Sequence, residues 1–132
     1  MLDERMPPAW ADEAGAPRGP RWVRVCRLED VRPEEGVCAL VDGVQVALFR
    51  LPPGERWYAI ENRCPHWGEM VLSRGLVGES GGEPRVACPM HKRLFSLDTG
   101  RCLSEGGEGV RTFEVAVERG AVFVRRPETR SG

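Results

Sequence analysis

The sequence predicts an all-β domain. After residue 20, the apolar residues occur in short runs rich in β-branched and aromatic side chains, and Gly, Pro and Asp separate these runs. The dipeptide Asp42-Gly43 lies between two such runs and is typical of a two-residue hairpin turn. This part of the chain shows no long amphipathic helical pattern. We therefore expect antiparallel strands that pack as a sandwich.

The first half of the sandwich is expected to contain four strands. They are predicted at residues 22–28, 37–41, 44–49 and 56–60. Asp42-Gly43 joins the middle two as a hairpin, because both residues tolerate positive φ. Pro52-Pro53-Gly54 then ends the run, because proline lacks the N–H donor that a strand ladder needs.

The last part of the sandwich is expected to contain two strands. Phe113, Val115 and Val117 alternate with polar or small residues over 113–118, which is typical of a strand with one solvated face. Arg119-Gly120 turns the chain, and residues 121–124 return beside it. The sandwich is therefore assigned to residues 21–61 and 100–126.

The flanking and central segments have different compositions. Residues 61–109 are rich in glycine, have few strand-like runs and contain both histidines of the chain, so we expect an inserted, loop-rich subdomain there, with its cluster-binding part at residues 62–99. Residues 1–20 are rich in Ala, Pro, Gly and charge, and they are expected to form a flexible N-terminal extension. Residues 127–132 are expected to be a polar tail. The chain thus holds one domain, residues 21–126.

Charge and hydropathy exclude several function classes. Lys and Arg total 19 against 20 Asp and Glu, which is not the basic excess of a nucleic-acid-binding protein. No apolar run is long enough to cross a bilayer, and the N-terminus has no secretory signal pattern. We expect a cytoplasmic protein that binds neither nucleic acid nor membrane.

The residues that carry chemistry lie in two short motifs. These are Cys64-Pro65-His66 and Cys88-Pro89-Met90-His91, and they contain the only two histidines of the chain. Two Cys/His pairs on two loops predict a metal site. Zinc accepts this ligand set, but its fingers usually take two ligands from one C-x₂₋₄-C knuckle. One thiolate and one imidazole from each loop instead fit a two-iron cluster with mixed ligands.

These motifs and their separation resemble those of the Rieske [2Fe–2S] family, and the resemblance covers residues 21–126. It implies a Rieske-type antiparallel β-sandwich with an inserted cluster-binding subdomain. It also implies that Cys64 and Cys88 bind one iron, and that His66 and His91 bind the other.

Four positions depart from the high-potential Rieske proteins of respiratory complexes. Glu69 and Met90 stand where those proteins have two disulfide-forming cysteines, and Arg93 and Phe95 stand where they have hydroxyl donors to the cluster sulfurs. Fewer hydrogen bonds to sulfur stabilise the reduced state less. The resemblance therefore implies a low-potential, ferredoxin-like cluster.

A narrower resemblance rests on longer segments. The small subunits of assimilatory NAD(P)H-dependent nitrite reductases are similar to this chain over residues 36–40, 59–66, 71–78, 82–89 and 95–102. This likeness implies an electron-transfer subunit with no catalytic residue of its own. Its partner is then a large subunit that carries FAD, a [4Fe–4S] cluster and sirohaem, and that reduces nitrite to ammonium in nitrate assimilation.

Two alternatives remain open at this point. The chain is compatible with a free-standing Rieske ferredoxin that supplies a ring-hydroxylating dioxygenase. It is also compatible with a structural module that binds zinc or no metal.

Overall fold

A computed structural model describes residues 21–52, 55–65, 68–104 and 107–127. The predicted extension 1–20 and nearly all of the predicted tail, residues 128–132, lie outside the described residues. The described part is made of antiparallel β-strands, with two single-turn 3₁₀ helices, Leu28–Asp30 and Leu72–Arg74. None of the helices described is long and apolar enough to span a membrane. The expected all-β class is confirmed.

Ten strands form three sheets in the described ranges. In chain order they are β1 Trp22–Arg27, β2 Val37–Val41, β3 Val44–Leu51, β4 Arg56–Glu61, β5 Leu76–Ser80, β6 Glu83–Ala87, β7 Leu94–Ser96, β8 Thr112–Phe113, β9 Val115–Glu118 and β10 Ala121–Arg125. The first sheet has the order β1-β10-β9, the second β2-β3-β4-β8 and the third β5-β6-β7. The two ends of the chain therefore build the first two sheets, and its middle builds the third.

The β2–β3 hairpin has the predicted two-residue turn. Val41 pairs with Val44, and Asp42 and Gly43 between them have φ angles of 52° and 84°. Positive φ at both central residues is the mark of a type I′ turn, whose twist matches that of the flanking strands. The register of this hairpin thus follows from two adjacent residues.

The first two sheets share an apolar core. Its fully or almost fully buried members are Val41, Val46, Leu48, Ala59, Val122 and Val124. Strands β2, β3 and β4 supply the first four side chains, and β10 supplies the last two. Burial of a Val or Leu side chain contributes about 1.5–3 kcal/mol, so this core joins the two ends of the chain.

The chain changes sheets at Glu114. The alternation of apolar residues predicts one strand over 113–118, but β8 pairs with β4 of the second sheet and β9 pairs with β10 of the first. Glu114 belongs to neither strand. A strand that passes from one sheet to another must break its ladder. The predicted single strand is therefore two strands, because the pairing partners decide where a ladder ends.

Residues 62–99 contain more regular structure than their composition predicts. β5 pairs with β6 over five residue pairs, and β7 adds a third strand. Pro84 lies inside β6, and a proline within a run argues against a strand when only the sequence is read. The carbonyl of Pro84 accepts a 2.9 Å hydrogen bond from the N–H of Leu97. This bond ties β6 to the segment that follows β7.

A second core attaches the third sheet to the sandwich. Phe49 and Ile60 of the second sheet belong to the same buried cluster as Val86 and Phe95 of the third, and all four are 0% exposed. Leu72 of the second 3₁₀ turn is buried with them. The loops that leave β4 and β6 are therefore held against one apolar base.

Candidate metal centre

The two predicted motifs occupy equivalent places in the fold. Cys64 follows the end of β4, and Cys88 comes directly after the end of β6. We define residues 64–69 as the first cysteine loop and residues 88–93 as the second. Each loop leaves a strand that packs on the second core, so the two cysteines start from a rigid base.

The backbone closes the first cysteine loop with two hydrogen bonds. The N–H of Cys64 donates to the carbonyl of Glu69 at 2.8 Å, and the N–H of Gly68 donates to the carbonyl of Cys64 at 2.7 Å. Gly68 has a φ of 83°. Glycine adopts this left-handed conformation without steric cost.

The second cysteine loop repeats this pattern at the same spacing. The N–H of Cys88 donates to the carbonyl of Arg93 at 2.8 Å, and the N–H of Lys92 donates to the carbonyl of Cys88 at 2.7 Å. Lys92 has a φ of 61°, although a non-glycine residue there costs about 1–2 kcal/mol. The residue four positions after each cysteine is thus left-handed, and the described ends of the two loops share the same backbone hydrogen-bond pattern.

Both cysteine thiols are completely buried. Cys64 and Cys88 are 0% exposed and belong to the same apolar cluster, together with Phe95. A thiolate needs a partner cation or metal when it is excluded from water. Two such thiols at the base of two equivalent loops are therefore a fitting pair of ligands for a metal centre.

Of the two predicted histidine ligands, His91 is among the described residues and His66 is not. His91 lies in the second cysteine loop, its side chain is 29% exposed, and its Nε2 atom is 3.8 Å from Oε1 of Glu69 in the first loop. Nδ1 is therefore the ring nitrogen that does not face Glu69. His66 and the neighbouring Trp67 lie outside the described residues. The predicted set of Cys64, His66, Cys88 and His91 thus has three members whose positions are described.

The donor types present fit a two-iron cluster. The described part of the chain holds no group of three or more His, Cys, Asp and Glu side chains that could bind a metal ion. In a Rieske cluster each iron takes only two protein ligands, because sulfides complete its coordination. Buried thiols from two loops and a partly exposed imidazole are the ligand types that such a cluster requires.

The four positions that depart from high-potential clusters can now be located. Phe95 is fully buried in the second core, and Nη1 of Arg93 lies 4.0 Å from Sγ of Cys102. Neither side chain has a hydroxyl group. Met90 is 54% exposed, and Glu69 faces His91. The hydrogen bonds and the disulfide of the high-potential proteins have no counterpart at these four positions.

Asn62 is a buried polar residue that the sequence did not single out. It is 2% exposed, and its Oδ1 atom accepts a 2.6 Å hydrogen bond from the N–H of Ser73. Its Nδ2 atom donates to Oε1 of Gln45 at 3.1 Å and to Sγ of Cys38 at 3.5 Å. Asn62 therefore links the β2–β3 hairpin and the second 3₁₀ turn to the start of the first cysteine loop.

Comparison with known proteins identifies the family. The model of the Rieske-like [2Fe–2S] domain family matches residues 21–125. The chain belongs to this family. The match spans both sandwich sheets, the third sheet and the two cysteine loops, so the Rieske fold expected from the motifs is confirmed.

Among Rieske proteins, the chain is similar to subunits of nitrite reductase. It is 40% identical over 105 residues to the nitrite reductase (NADH) small subunit of Escherichia coli (strain K12), with 80% of this chain and 97% of that protein covered. The NMR structure of the E. coli protein NirD has a TM-score of 0.74 at 39% identity, with 81% of this chain and 97% of that chain covered. The resemblance inferred from the sequence is thus confirmed.

A ferredoxin of the alternative class is also similar, at lower identity. The 3-phenylpropionate/cinnamic acid dioxygenase ferredoxin subunit of E. coli O139:H28 is 33% identical over 107 residues, with 80% of this chain and 94% of that protein covered. The oxygenase-ferredoxin alternative is therefore weaker than the nitrite reductase interpretation.

Proposed function

We propose that this chain is the electron-transfer small subunit of an NAD(P)H-dependent nitrite reductase. It carries a low-potential Rieske [2Fe–2S] cluster on Cys64, His66, Cys88 and His91. The observation that carries the proposal is the pair of equivalent cysteine loops, each with a buried thiol and a left-handed fourth residue. Such matched loops suit a cluster that takes one thiolate and one imidazole from each side.

The ligand residues have separate roles in this proposal. Cys64 and Cys88 would bind one iron, and their burial would keep water away from it. His66 and His91 would bind the other, and the partial exposure of His91 would give an electron a short path to the surface. When bound, the cluster accepts one electron and releases it again. No residue of this chain acts on nitrite.

The organisation of the chain is part of the proposal. Residues 21–126 form the Rieske domain, and residues 62–99 form its cluster-binding insert. Residues 1–20 are an extension and residues 127–132 a tail. The protein works in the cytoplasm. The family match over residues 21–125 supports the domain bounds, and the position of the third sheet between the two halves of the sandwich supports the insert.

The partner docks on the face formed by the cysteine loops. Met70 is 46% exposed and Met90 is 54% exposed, although both are large apolar side chains. Met70 adjoins Glu69 and Met90 adjoins His91 in the chain, so both methionines are next to residues that meet between the two cysteine loops. Exposed apolar side chains next to the proposed electron exit favour a protein partner there.

Basic residues flank the same face. Arg63, which bridges to Met70, and Lys92, which follows His91, are both exposed. The large subunit that carries FAD, sirohaem and a [4Fe–4S] cluster is therefore expected to offer an apolar surface with acidic neighbours. Attraction between oppositely charged rims raises the association rate. Salt screens this attraction, so the complex should be weaker at high salt.

The function is tested with the purified large subunit. The cluster-loaded chain is mixed with the large subunit and NADH or NADPH, and reduction of the cluster is followed by its visible absorbance; nitrite is then added and ammonium is measured. We expect the nicotinamide to reduce the cluster only when the large subunit is present. A cluster that stays oxidised in the complex would contradict the proposal.

A matched pair of variants tests the docking face. Met90→Glu places a charge beside the proposed exit, and Leu40→Glu places one on the edge strand β2, where Leu40 is 67% exposed. We expect Met90→Glu to weaken binding of the large subunit by about tenfold or more, as for a central interface residue. Leu40→Glu should bind like the parent. Equal affinities for both variants would contradict this docking face.

The same preparation separates the two alternatives. Reduction of a ring-hydroxylating oxygenase, but not of the large subunit, would identify a free-standing ferredoxin. A colourless protein that contains zinc and no sulfide would identify a structural module.

A further inference from the structure

One carboxylate connects the two cysteine loops. Glu69 belongs to the first loop and His91 to the second, and Oε1 of Glu69 lies 3.8 Å from Nε2 of His91. This is an ion-pair distance, slightly longer than a hydrogen bond. The Oε1 atom is buried and accepts no hydrogen bond from any residue that the structure describes. An unsatisfied buried oxygen costs free energy, and Nε2 of His91 is the ring atom beside it that can donate when it carries the proton.

The backbone holds Glu69 in this position. Its carbonyl accepts hydrogen bonds from the N–H of Cys64 at 2.8 Å and from the N–H of Val71 at 3.1 Å. The α-carbon of Glu69 is therefore fixed relative to the first cysteine. Because the side chain then crosses to the second loop, the distance between the two loops is coupled to the orientation of the His91 ring.

We propose that Glu69 is a positioning residue for His91 that also lowers the reduction potential of the cluster. This inference rests on the proposed function, because it takes His91 to be an iron ligand. A carboxylate at Nε2 directs Nδ1 of the same ring toward the iron, as outer partners of metal-bound histidines generally do. Its negative charge also opposes the arrival of an electron on the neighbouring iron.

Among the described residues, Glu69 forms its ion pair with His91, and Nη1 of Arg93 lies 4.0 Å from Sγ of Cys102. The position of Glu69 is also the one at which high-potential Rieske proteins have a disulfide cysteine. In this chain the same position therefore connects the two loops through charge instead of a covalent bond.

The proposal is tested by the midpoint potential of three variants of the cluster-loaded chain. Glu69→Gln keeps the shape and removes the charge, and Glu69→Asp keeps the charge on a shorter side chain. Glu83→Gln removes the same charge at the far end of β6 and is the matched control. Potentials are measured by spectroelectrochemical titration, and an electron paramagnetic resonance spectrum of each reduced variant reports the geometry of the iron ligands.

We expect Glu69→Gln to have a more positive potential than the parent and an altered resonance spectrum. Glu69→Asp should lie between Glu69→Gln and the parent, and Glu83→Gln should match the parent. Loss of iron from Glu69→Gln with retention in Glu69→Asp would also support positioning by charge. Equal potentials for the parent, Glu69→Gln and Glu83→Gln would overturn the proposal, as would loss of iron from both Glu69 variants. A parent chain that binds no iron would instead contradict the proposed function.

Discussion

The side-chain oxygen of Asn62 accepts a 2.6 Å hydrogen bond from the backbone N–H of Ser73. This bond crosses from the segment just before the first cysteine loop to the 3₁₀ turn Leu72–Arg74, which follows that loop. The N–H of Leu72 also donates to the carbonyl of Asn62 at 3.0 Å. The two ends of the first cysteine loop are therefore tied together by one buried asparagine.

Asn62→Ala is expected to destabilise the fold. The variant leaves the N–H of Ser73 without its acceptor and removes one of two donors to the amide oxygen of Gln45, both in part-buried positions, which costs about 1–3 kcal/mol. Thr99→Ala is the control, because Thr99 is exposed and its hydroxyl accepts a similar bond from the N–H of Arg101 at 3.1 Å. The free energy of unfolding, measured in urea, should fall for Asn62→Ala and change by less than about 0.5 kcal/mol for Thr99→Ala. Equal losses of unfolding free energy in the two variants would show that the hydrogen bonds of Asn62 stabilise the fold no more than an exposed hydrogen bond does.

Gly75→Ala is expected to disturb the third sheet. A β-carbon at Gly75 would lie 2.3 Å from the carbonyl oxygen of Ala87 and 2.6 Å from Cγ2 of Val86. The backbone cannot move away without displacing Cys88, so we expect a cost of about 1–3 kcal/mol. Gly78→Ala in β5, which begins directly after Gly75, is the control, since nothing lies within 4 Å of its β-carbon position. The melting temperatures of the two variants check this; a similar value for both would contradict the close packing.

Cys88→Ser is expected to abolish iron binding. The thiol is fully buried in the second core, and a serine hydroxyl is a poor ligand for the cluster. Since metal binding and folding are coupled, the variant should also have a lower melting temperature than the cluster-loaded parent. Cys26→Ser, which changes a half-buried thiol in β1, should keep its iron. Iron and acid-labile sulfide are measured after reconstitution, and a loaded Cys88→Ser variant would remove Cys88 from the ligand set.

The thiol of Cys26 is expected to make stability depend on pH. Burial, and to a smaller extent the neighbouring Asp30, raise the pKa of Cys26 from 9.0 to about 11, although Arg24 opposes the shift. Because the folded-state pKa is the higher one, this contribution to stability is present below pH 9.0 and is lost as the pH rises to about 11. The parent should therefore lose stability over this range faster than Cys26→Ala. Urea unfolding curves across the range check this, and parallel curves would rule it out.

Local patterns predicted much of the sandwich. The hairpin turn depends on Asp42 and Gly43 alone, and the strands that flank it begin and end close to the predicted residues. The two cysteine motifs were also found from the sequence, because both histidines of the chain lie beside them. Features that depend only on residues adjacent in the chain can thus be predicted from the sequence.

Features that depend on distant partners were not predicted. The break at Glu114 arises because β8 and β9 pair with different sheets. Asn62 acquires its role from Gln45 and Cys38, 17 and 24 residues away. The contact between Glu69 and His91 joins two loops that only the fold brings together. No local signal in the sequence predicts these contacts, because each depends on a partner that only the fold brings near.

We propose that two thiolates and two imidazoles of this chain hold a two-iron cluster. Electron paramagnetic resonance of the dithionite-reduced, reconstituted protein distinguishes this ligand set. We expect a signal from one unpaired electron per cluster, with the unequal g-values that mixed sulfur and nitrogen ligands produce. A silent spectrum, or a signal that is unchanged when both His66 and His91 are replaced by cysteine, would contradict it.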